Sequence, residues 1–508
     1  RQMCIRDRYR AYIVMREEAN IFDVIAMSAM AFIIAVISYR DQSEKALLSS
    51  VIVCFIFVAI MFVYERKLIN SKILNYVVFA VCLVEMGINA NTGVKTVTVT
   101  GYSNYPRNSE SVSDLIGSVE SEDNGFYRIE TMSNYTINDP ALYGYKGVSQ
   151  FSSTANVNVT NIMKSLGLQA SAAGNRYYYN QNTAVINMFL NLKYLISHDS
   201  YSGDLTYLDP LASKDGVSIY ENNHYLPIGF AAESSISEYK GESFIQFDNQ
   251  NELFRLATGI EEDVLTRVDI KDVGHKGLNV IKSGYGNYSY QYSAPDDGSE
   301  DCYLKFNYTV PDDGPLYVTF DFGEIKNVRI KVGDSVMRTH SSGKYMDIFA
   351  AGDFNAGDVV SFQADAKDQK NGSGTIYVYQ INSDVFERGY RKLLEGALNV
   401  TKYDDTIIKG NIIAEDDCLM YTSIPYDGGW KAYVDGKETE VQSIKNAFVC
   451  VPMSAGEHTV ELRYCPPGFV VGAVISILSV ATLVLLWIFV PKVKKKRFMS
   501  GEGTAENK

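Results

Sequence analysis

The sequence predicts a multi-pass α-helical membrane protein that carries a large extracytoplasmic α+β domain followed by two tandem β-sandwich domains. Three observations carry that reading: apolar runs long enough to cross a bilayer, basic clusters beside them, and a switch after residue 280 to short β-rich runs separated by Gly, Pro and Asp turns. The chain has 508 residues and a net charge of −13. That length fits several domains. The acidic balance argues against a nucleic-acid partner, which needs basic patches to neutralise phosphates.

The apolar runs come first. Phe469 to Val490, "FVVGAVISILSVATLVLLWIFV", is uncharged and long enough to cross about 30 Å of hydrocarbon as a helix. Ile21 to Tyr39, Ala46 to Tyr64 and Ile73 to Asn89 are three further candidate spans, the first and third interrupted by Asp23 and Glu85. Lys492, Lys494, Lys495, Lys496 and Arg497 follow the last span, Arg66, Lys67 and Lys72 separate the second from the third, and Arg6, Arg8, Arg10 and Arg16 precede the first. By the positive-inside bias these clusters are cytoplasmic, which puts the segment from about 91 to 466 on the outer side of the membrane.

The expected organisation follows. Residues 1–20 are a cytoplasmic start, expected to be partly non-native because it opens "RQMCIRDRYR" without a signal-peptide pattern. Residues 21–90 hold three transmembrane helices, 91–275 the α+β domain, 276–385 the first sandwich, 386–400 a helical connector and 401–466 the second sandwich. Residues 467–491 are the final transmembrane helix and 492–508 a basic cytoplasmic tail.

In the α+β segment, Ser109 or Ser111 can cap a helix in which Val112, Leu115, Ile116 and Val119 have amphipathic spacing. Asn158 to Leu168 and Thr183 to Leu190 are further helix candidates, while residues 125–132, 191–197 and 217–222 read as strands. In the sandwiches, "CYLKFNYTVPDDGPLYVTFDF" from Cys302 and "CLMYTSIPYDGGWKAYVDGK" from Cys418 both set a β run, then Pro-x-Asp-Gly, then a second β run. "NAGDVVSFQA" (355–364) likewise parallels "SAGEHTVELR" (454–463), so the two are expected to be repeats of one ancestor. Asp435-Gly436 is a two-residue hairpin signal.

Chemistry is harder to find. The chain has no phosphate loop, no H-E-x-x-H zinc helix and no nucleophile elbow, and its five histidines are scattered, so no metal or cofactor is expected. The adjacent acids of the "PDDG" turns lack the separation a glycosidase pair needs. Scaffolding is the preferred reading of residues 423–441, with stacking of Trp430 on a sugar as the other. A bridge among Cys418, Cys450 and Cys465 is an open alternative to free thiols. Glu85, an acid within a span, is either close enough to the surface to reach headgroups or lines a substrate cavity.

Several segments resemble one family. "VEMGINANT" (84–92), "FYRIE" (126–130), "ALYGYKGVSQFSS" (141–153), "MFLNLKYLIS" (188–197), "IYENNHYLPIGF" (219–230), "SIPYDGGWKAYVDGKE" (423–438) and "AGEHTVELRYCPPGF" (455–469) occur in the order of YfhO family bacterial membrane proteins, which are related to GT-C type glycosyltransferases. The resemblance is to that family's carboxy-terminal half. It implies a plasma-membrane enzyme that moves a sugar from a polyprenyl-phosphate donor to a cell-surface polymer such as lipoteichoic acid. It also implies that the catalytic acid lies in a region this chain does not reach. Glu85, Asn89, Tyr127, Arg128, Asn191 and Lys193 match family positions and are the substrate-binding candidates. Arg128 or Lys193 would meet a donor phosphate or, alternatively, form a salt bridge within the α+β domain. The alternative function is a non-enzymatic, membrane-anchored surface module that binds wall polymer or a protein partner.

Overall fold

A computed structural model describes residues 12–13, 16–17, 20–39, 44–97, 108–198, 205–282, 289–293, 302–323, 325, 327–341, 346–366 and 371–499. Arg6, Arg8, Arg10 and the Asp296-Asp297 turn lie outside this set, as do the side chains of the basic tail. The chain divides into two units, residues 1–105 and 106–508.

The first unit is helical: α1 (Ile21–Tyr39), α2 (Glu44–Glu65) and α3 (Ser71–Thr96). Asn70 starts α3, its side chain accepting from the Ile73 N–H at 2.9 Å. Val24, Met61 and Leu74 form a small buried cluster. Among the described residues two helices are long and apolar enough to cross a membrane, Ser71–Lys95 here and Phe469–Phe489 in the second unit; Ile21–Met30 and Val51–Glu65 are shorter apolar stretches.

The second unit begins with α4 (Ser109–Glu122), which buries Val112, Leu115, Ile116 and Val119 as their spacing requires. Its cap is neither serine: Asn108 takes the cap position at φ 55° without a side-chain bond, and the Ser111 hydroxyl donates instead to Asp215 at 2.8 Å. Then come β1 (Arg128–Thr131), α5 (Asp139–Tyr143), β2 (Gln150–Phe151), α6 (Val157–Ser165), β3 (Gln169–Ala170), β4 (Arg176–Tyr178), α7 (Ala184–Phe189), β5 (Leu192–Ser197), β6 (Leu208–Lys214) and β7 (Val217–Asn222). Asn156 and Thr183 cap α6 and α7 with their side chains. One sheet runs β1-β5-β7-β6, with β1 parallel to β5 and at the edge; a small one runs β2-β4-β3.

After β8 (Gly229–Glu233), α8 (Gln246–Thr258) leads into strands β9 (Leu265–Arg267), β10 (Ile270–Lys276), β11 (Asn279–Lys282), β12 (Ser289–Ser293), β13 (Tyr303–Thr309), β14 (Gly314–Asp321), β15 (Asn327–Val332), β16 (Ser335–Ser341), β17 (Phe349–Phe354), β18 (Val359–Asp365) and β19 (Asn371–Ile381). They form two sheets, β10-β13-β18-β15-β16 and β11-β12-β19-β14-β17, the second with β9 added on β19. Leu304, Phe306, Leu316, Val318, Val360 and Phe362 share the core between them.

Helix α9 (Ser383–Glu395) then leads to β20 (Asn399–Asp404), β21 (Ile407–Ala414), β22 (Cys418–Pro425), β23 (Trp430–Val434), β24 (Lys437–Thr439), β25 (Gln442–Ile444), β26 (Phe448–Met453), β27 (Gly456–Tyr464) and α10 (Phe469–Met499). Their sheets are β20-β21-β27-β23-β24 and β25-β26-β22-β8. Asp435 and Gly436 both have positive φ, 52° and 77°, as a type I′ turn between β23 and β24 demands. Cys302, Cys418, Cys450 and Cys465 are unbridged.

The two sheet pairs share a strand order; the expected match of residues 355–364 with 454–463 falls on corresponding strands, but the match of the run from Cys302 with the run from Cys418 does not. Strands β10, β13, β18, β15 and β16 correspond to β20, β21, β27, β23 and β24, and β19, β14 and β17 correspond to β8, β22 and β26. The run from Cys418 is therefore equivalent to β14, not to the run from Cys302. Details agree: Asp313 accepts from the Ala356 N–H at 2.7 Å, and Asp417 accepts from the Ala455 N–H at 3.0 Å. Pro-x-Asp-Gly recurs because any tight connection between sheets favours those residues, so it marks turns rather than equivalent turns. Pairing also crosses the expected domain limits, since β10 pairs with β13 and β8 with β22.

Candidate functional site

Strand β1 places residues alternately on its two faces. Arg128 is 8% exposed, and its Nη1 donates to the Leu190 carbonyl at 3.0 Å and to the Ser423 hydroxyl, while Nη2 donates to the Ser423 carbonyl at 3.3 Å. Ser423 in turn donates to Asn191 Oδ1, and the Asn191 amide N–H groups reach the carbonyls of Leu226 and Pro227. Asn191 sits at φ 59°, a left-handed position asparagine tolerates. Among the described residues Arg128 has no carboxylate partner, and its Nε–H and one Nη2–H have no acceptor.

Arg128 forms part of the wall of a cavity of about 230 Å³, together with Asn138, Ser149, Tyr177, Ser423 and Pro425. Burial lowers the pKa of Arg128, yet a guanidinium keeps its charge in proteins. Two residues along β1, Glu130 is fully buried and holds the cavity's loop: Oε1 accepts from the backbone N–H groups of Val148 and Ser149, at 2.5 and 2.6 Å, and Oε2 from the Ser149 hydroxyl at 3.0 Å. Burial, only partly offset by these bonds, pushes its pKa up to about 7. Gly147 must be glycine here, because a Cβ would lie 2.7 Å from Glu130 Oε1 and 2.5 Å from Pro140. The arrangement offers fixed donors and one cation that makes no direct carboxylate contact, which suits phosphate or carboxylate oxygens.

The candidates from sequence separate into groups. Arg128 and Asn191 meet through Ser423. Tyr127 and Lys193 lie on the other side: Lys193 pairs with Asp123 at 2.6 Å, and Tyr127 packs edge-on against Tyr194 at 5.0 Å. Burial works against the charge on Asp123, but Lys193 and the Gly125 N–H hold its pKa below the ordinary value. Glu85, half-buried, and Asn89, exposed, lie on α3 in the first unit. The Trp430 indole N–H donates to the Pro425 carbonyl at 3.1 Å, and its ring packs against Tyr464 at 5.0 Å. Sequence reasoning missed Ser423, Glu130, Ser149 and Tyr177. Glu130 had a signal, the i, i+2 spacing from Arg128 in "FYRIE"; Ser423 had none.

Apolar helices and an extensive β-sheet body are the architecture of a membrane protein with large folded domains. Residues 10–476 match the family described as "Bacterial membrane protein YfhO", and the chain belongs to that family. It is 25% identical over 421 residues to the "Uncharacterized protein YfhO" of Bacillus subtilis (strain 168), a match that covers 75% of this chain and 45% of the relative. The chain thus spans less than half of that relative's length. Among solved structures, a family 35 carbohydrate binding module from Clostridium thermocellum is 14% identical, with 23% of this chain and 95% of that one covered and a TM-score of 0.17. A GH2 β-galacturonidase from Eisenbergiella tayi is 12% identical, with 40% and 38% covered and a TM-score of 0.15. At such scores neither carries an argument about this chain.

Proposed function

We propose that this chain is the carboxy-terminal part of a multi-pass plasma-membrane glycosyltransferase, with residues 91–466 on the outer side and the two sheet pairs acting as tandem β-sandwiches of common origin. The enzyme moves a sugar from a polyprenyl-phosphate donor to a cell-surface polymer such as lipoteichoic acid. Arg128, with Asn191 holding it through Ser423, binds an anionic group of donor or acceptor; Tyr127 and Lys193 shape the opposite face of β1, Glu85 and Asn89 serve the membrane side, and Trp430 orders the loop after β22.

The observation that carries this reading is Arg128, buried at a cavity wall, with no carboxylate hydrogen-bonded to it and two guanidinium N–H groups without an acceptor among the described residues. An anion entering that cavity gains a charge-assisted bond in a poorly solvated place. The test is sugar transfer into lipoteichoic acid by the full-length protein in membranes supplied with a polyprenyl-phosphate sugar. Arg128→Lys keeps the charge but loses the planar fork, and transfer is expected to fall by about tenfold or more. Unchanged transfer contradicts the assignment. Polymer binding without any transfer by the unaltered protein supports the surface-module reading instead.

A further inference from the structure

Strand β1 has a second face, with a second cavity. Tyr127 and Ile129 line a space of about 150 Å³ together with Glu120, Asn124, Lys146 and Tyr403. Besides β1, three other parts of the chain build it: the end of α4 with the residues just after it, the stretch after α5, and β20 of the second sheet pair. The stretch is tied to the free edge of β1 by the Ile129 N–H, which donates to the Lys146 carbonyl at 2.9 Å. The same stretch continues as Gly147 to Gln150 into the Arg128 cavity. One short segment of "YKGVSQ" therefore walls both.

The lining is aromatic and mixed in polarity. Tyr403 packs edge-on against Phe126 at 5.5 Å, and the Lys146 ammonium lies 5.2 Å from the Tyr403 ring centroid. Among the described residues, the hydroxyls of Tyr127 and Tyr403 and the side chains of Glu120 and Asn124 make no hydrogen bond, and Lys146 has no carboxylate partner. Donors and acceptors thus surround ring walls in a space suited to a single ring rather than a drug-sized ligand. With Asp123 paired to Lys193, the remaining charged side chains of the lining are Glu120 and Lys146, which are of opposite sign and leave the wall close to neutral. A neutral ring with hydroxyl groups at its edge and C–H groups on its face matches both kinds of wall.

We infer that this cavity is a binding site for one neutral sugar ring, separate from the Arg128 cavity and formed jointly by the α+β region and the second sheet pair. The inference does not require the transferase reading, since a surface module for wall polymer would use such a site equally.

The test is a titration of the full chain in detergent micelles with methyl glucoside and methyl galactoside, followed by saturation-transfer NMR, with inorganic phosphate and choline as comparison probes. At least one glycoside is expected to bind saturably, with phosphate and choline failing to displace it. Tyr403→Leu is expected to weaken binding by about tenfold. Glu120→Gln and Lys146→Met change exposed positions and leave the fold intact, and each is expected to weaken binding by about threefold. No saturable glycoside binding, displacement by phosphate or choline, or binding that survives all three substitutions overturns the site. Failure of the transferase reading appears in sugar transfer, and failure of this site in glycoside binding, so the two are distinguishable.

Discussion

In the first sheet pair the place beside β14 is filled by β19, which follows it in the chain; in the second the same place beside β22 is filled by β8, from the α+β region. The rest of the two frames is alike. Tyr317 of β14 and Tyr421 of β22 occupy equivalent positions, and both turn toward α7: the Ala184 N–H donates to Tyr317 at 3.4 Å, and Tyr421 donates to the Phe189 carbonyl at 3.3 Å. Equivalent tyrosines thus clamp the two ends of one short helix. Two positions on, Thr319 and Ser423 are again equivalent and both buried, but the Thr319 hydroxyl has no protein partner among the described residues, while Ser423 receives Arg128. The candidate site thus lies on the frame whose strand beside β22 comes from the α+β region rather than from the frame's own later chain.

The largest effect is expected from removing the packing of the borrowed strand. Phe230 of β8 is fully buried against Phe189 and Tyr421. Phe230→Ala is expected to cost about 3–5 kcal/mol and to loosen the second sheet pair and the α+β region together. Phe362→Ala, in the core of the first pair, is expected to cost a similar amount but to act on that pair alone. Residue-resolved hydrogen exchange distinguishes the two patterns, and a Phe230→Ala effect confined to β20–β27 contradicts the shared strand.

A smaller effect is expected from Glu130, which anchors the cavity loop. Its pKa is raised from 4.5 to about 7, so the folded chain holds a proton that the unfolded chain releases between those values. The stability supplied by that proton is complete below the lower value and is lost as pH rises through the upper one. Glu130→Gln, which keeps the shape and cannot ionise, is expected to flatten the stability profile in that window. A denaturation series across it checks this, and an unchanged slope counts against the raised pKa.

Much of the β-rich region was legible in the sequence because alternating residues such as Leu304, Phe306 and Tyr308 declare a strand with one buried face. The Asp435-Gly436 hairpin was legible because positive φ at two successive residues leaves few choices. The shared strand order was legible in the match of residues 355–364 with 454–463, while the run from Cys302 was set against the wrong strand, because turn chemistry is local and strand equivalence is decided by pairing at long range. The loan of β8 was invisible for the same reason: "GFAAE" reads as a strand wherever its partner lies. Within the candidate site, Arg128 and Asn191 were found, while Ser423, which joins them, sits 295 residues beyond Arg128 in an unremarkable strand end.

The most direct measurement compares Ser423→Ala with Thr319→Ala in the full-length protein, with sugar transfer to the surface polymer as the readout. Both remove one buried hydroxyl at equivalent places, and each is expected to leave the fold in place. Ser423→Ala is expected to lower transfer by about tenfold, because the Arg128 fork loses its register, and Thr319→Ala is expected to leave transfer unchanged. Equal transfer by the two variants would contradict the claim that the second frame, and not the first, carries the site.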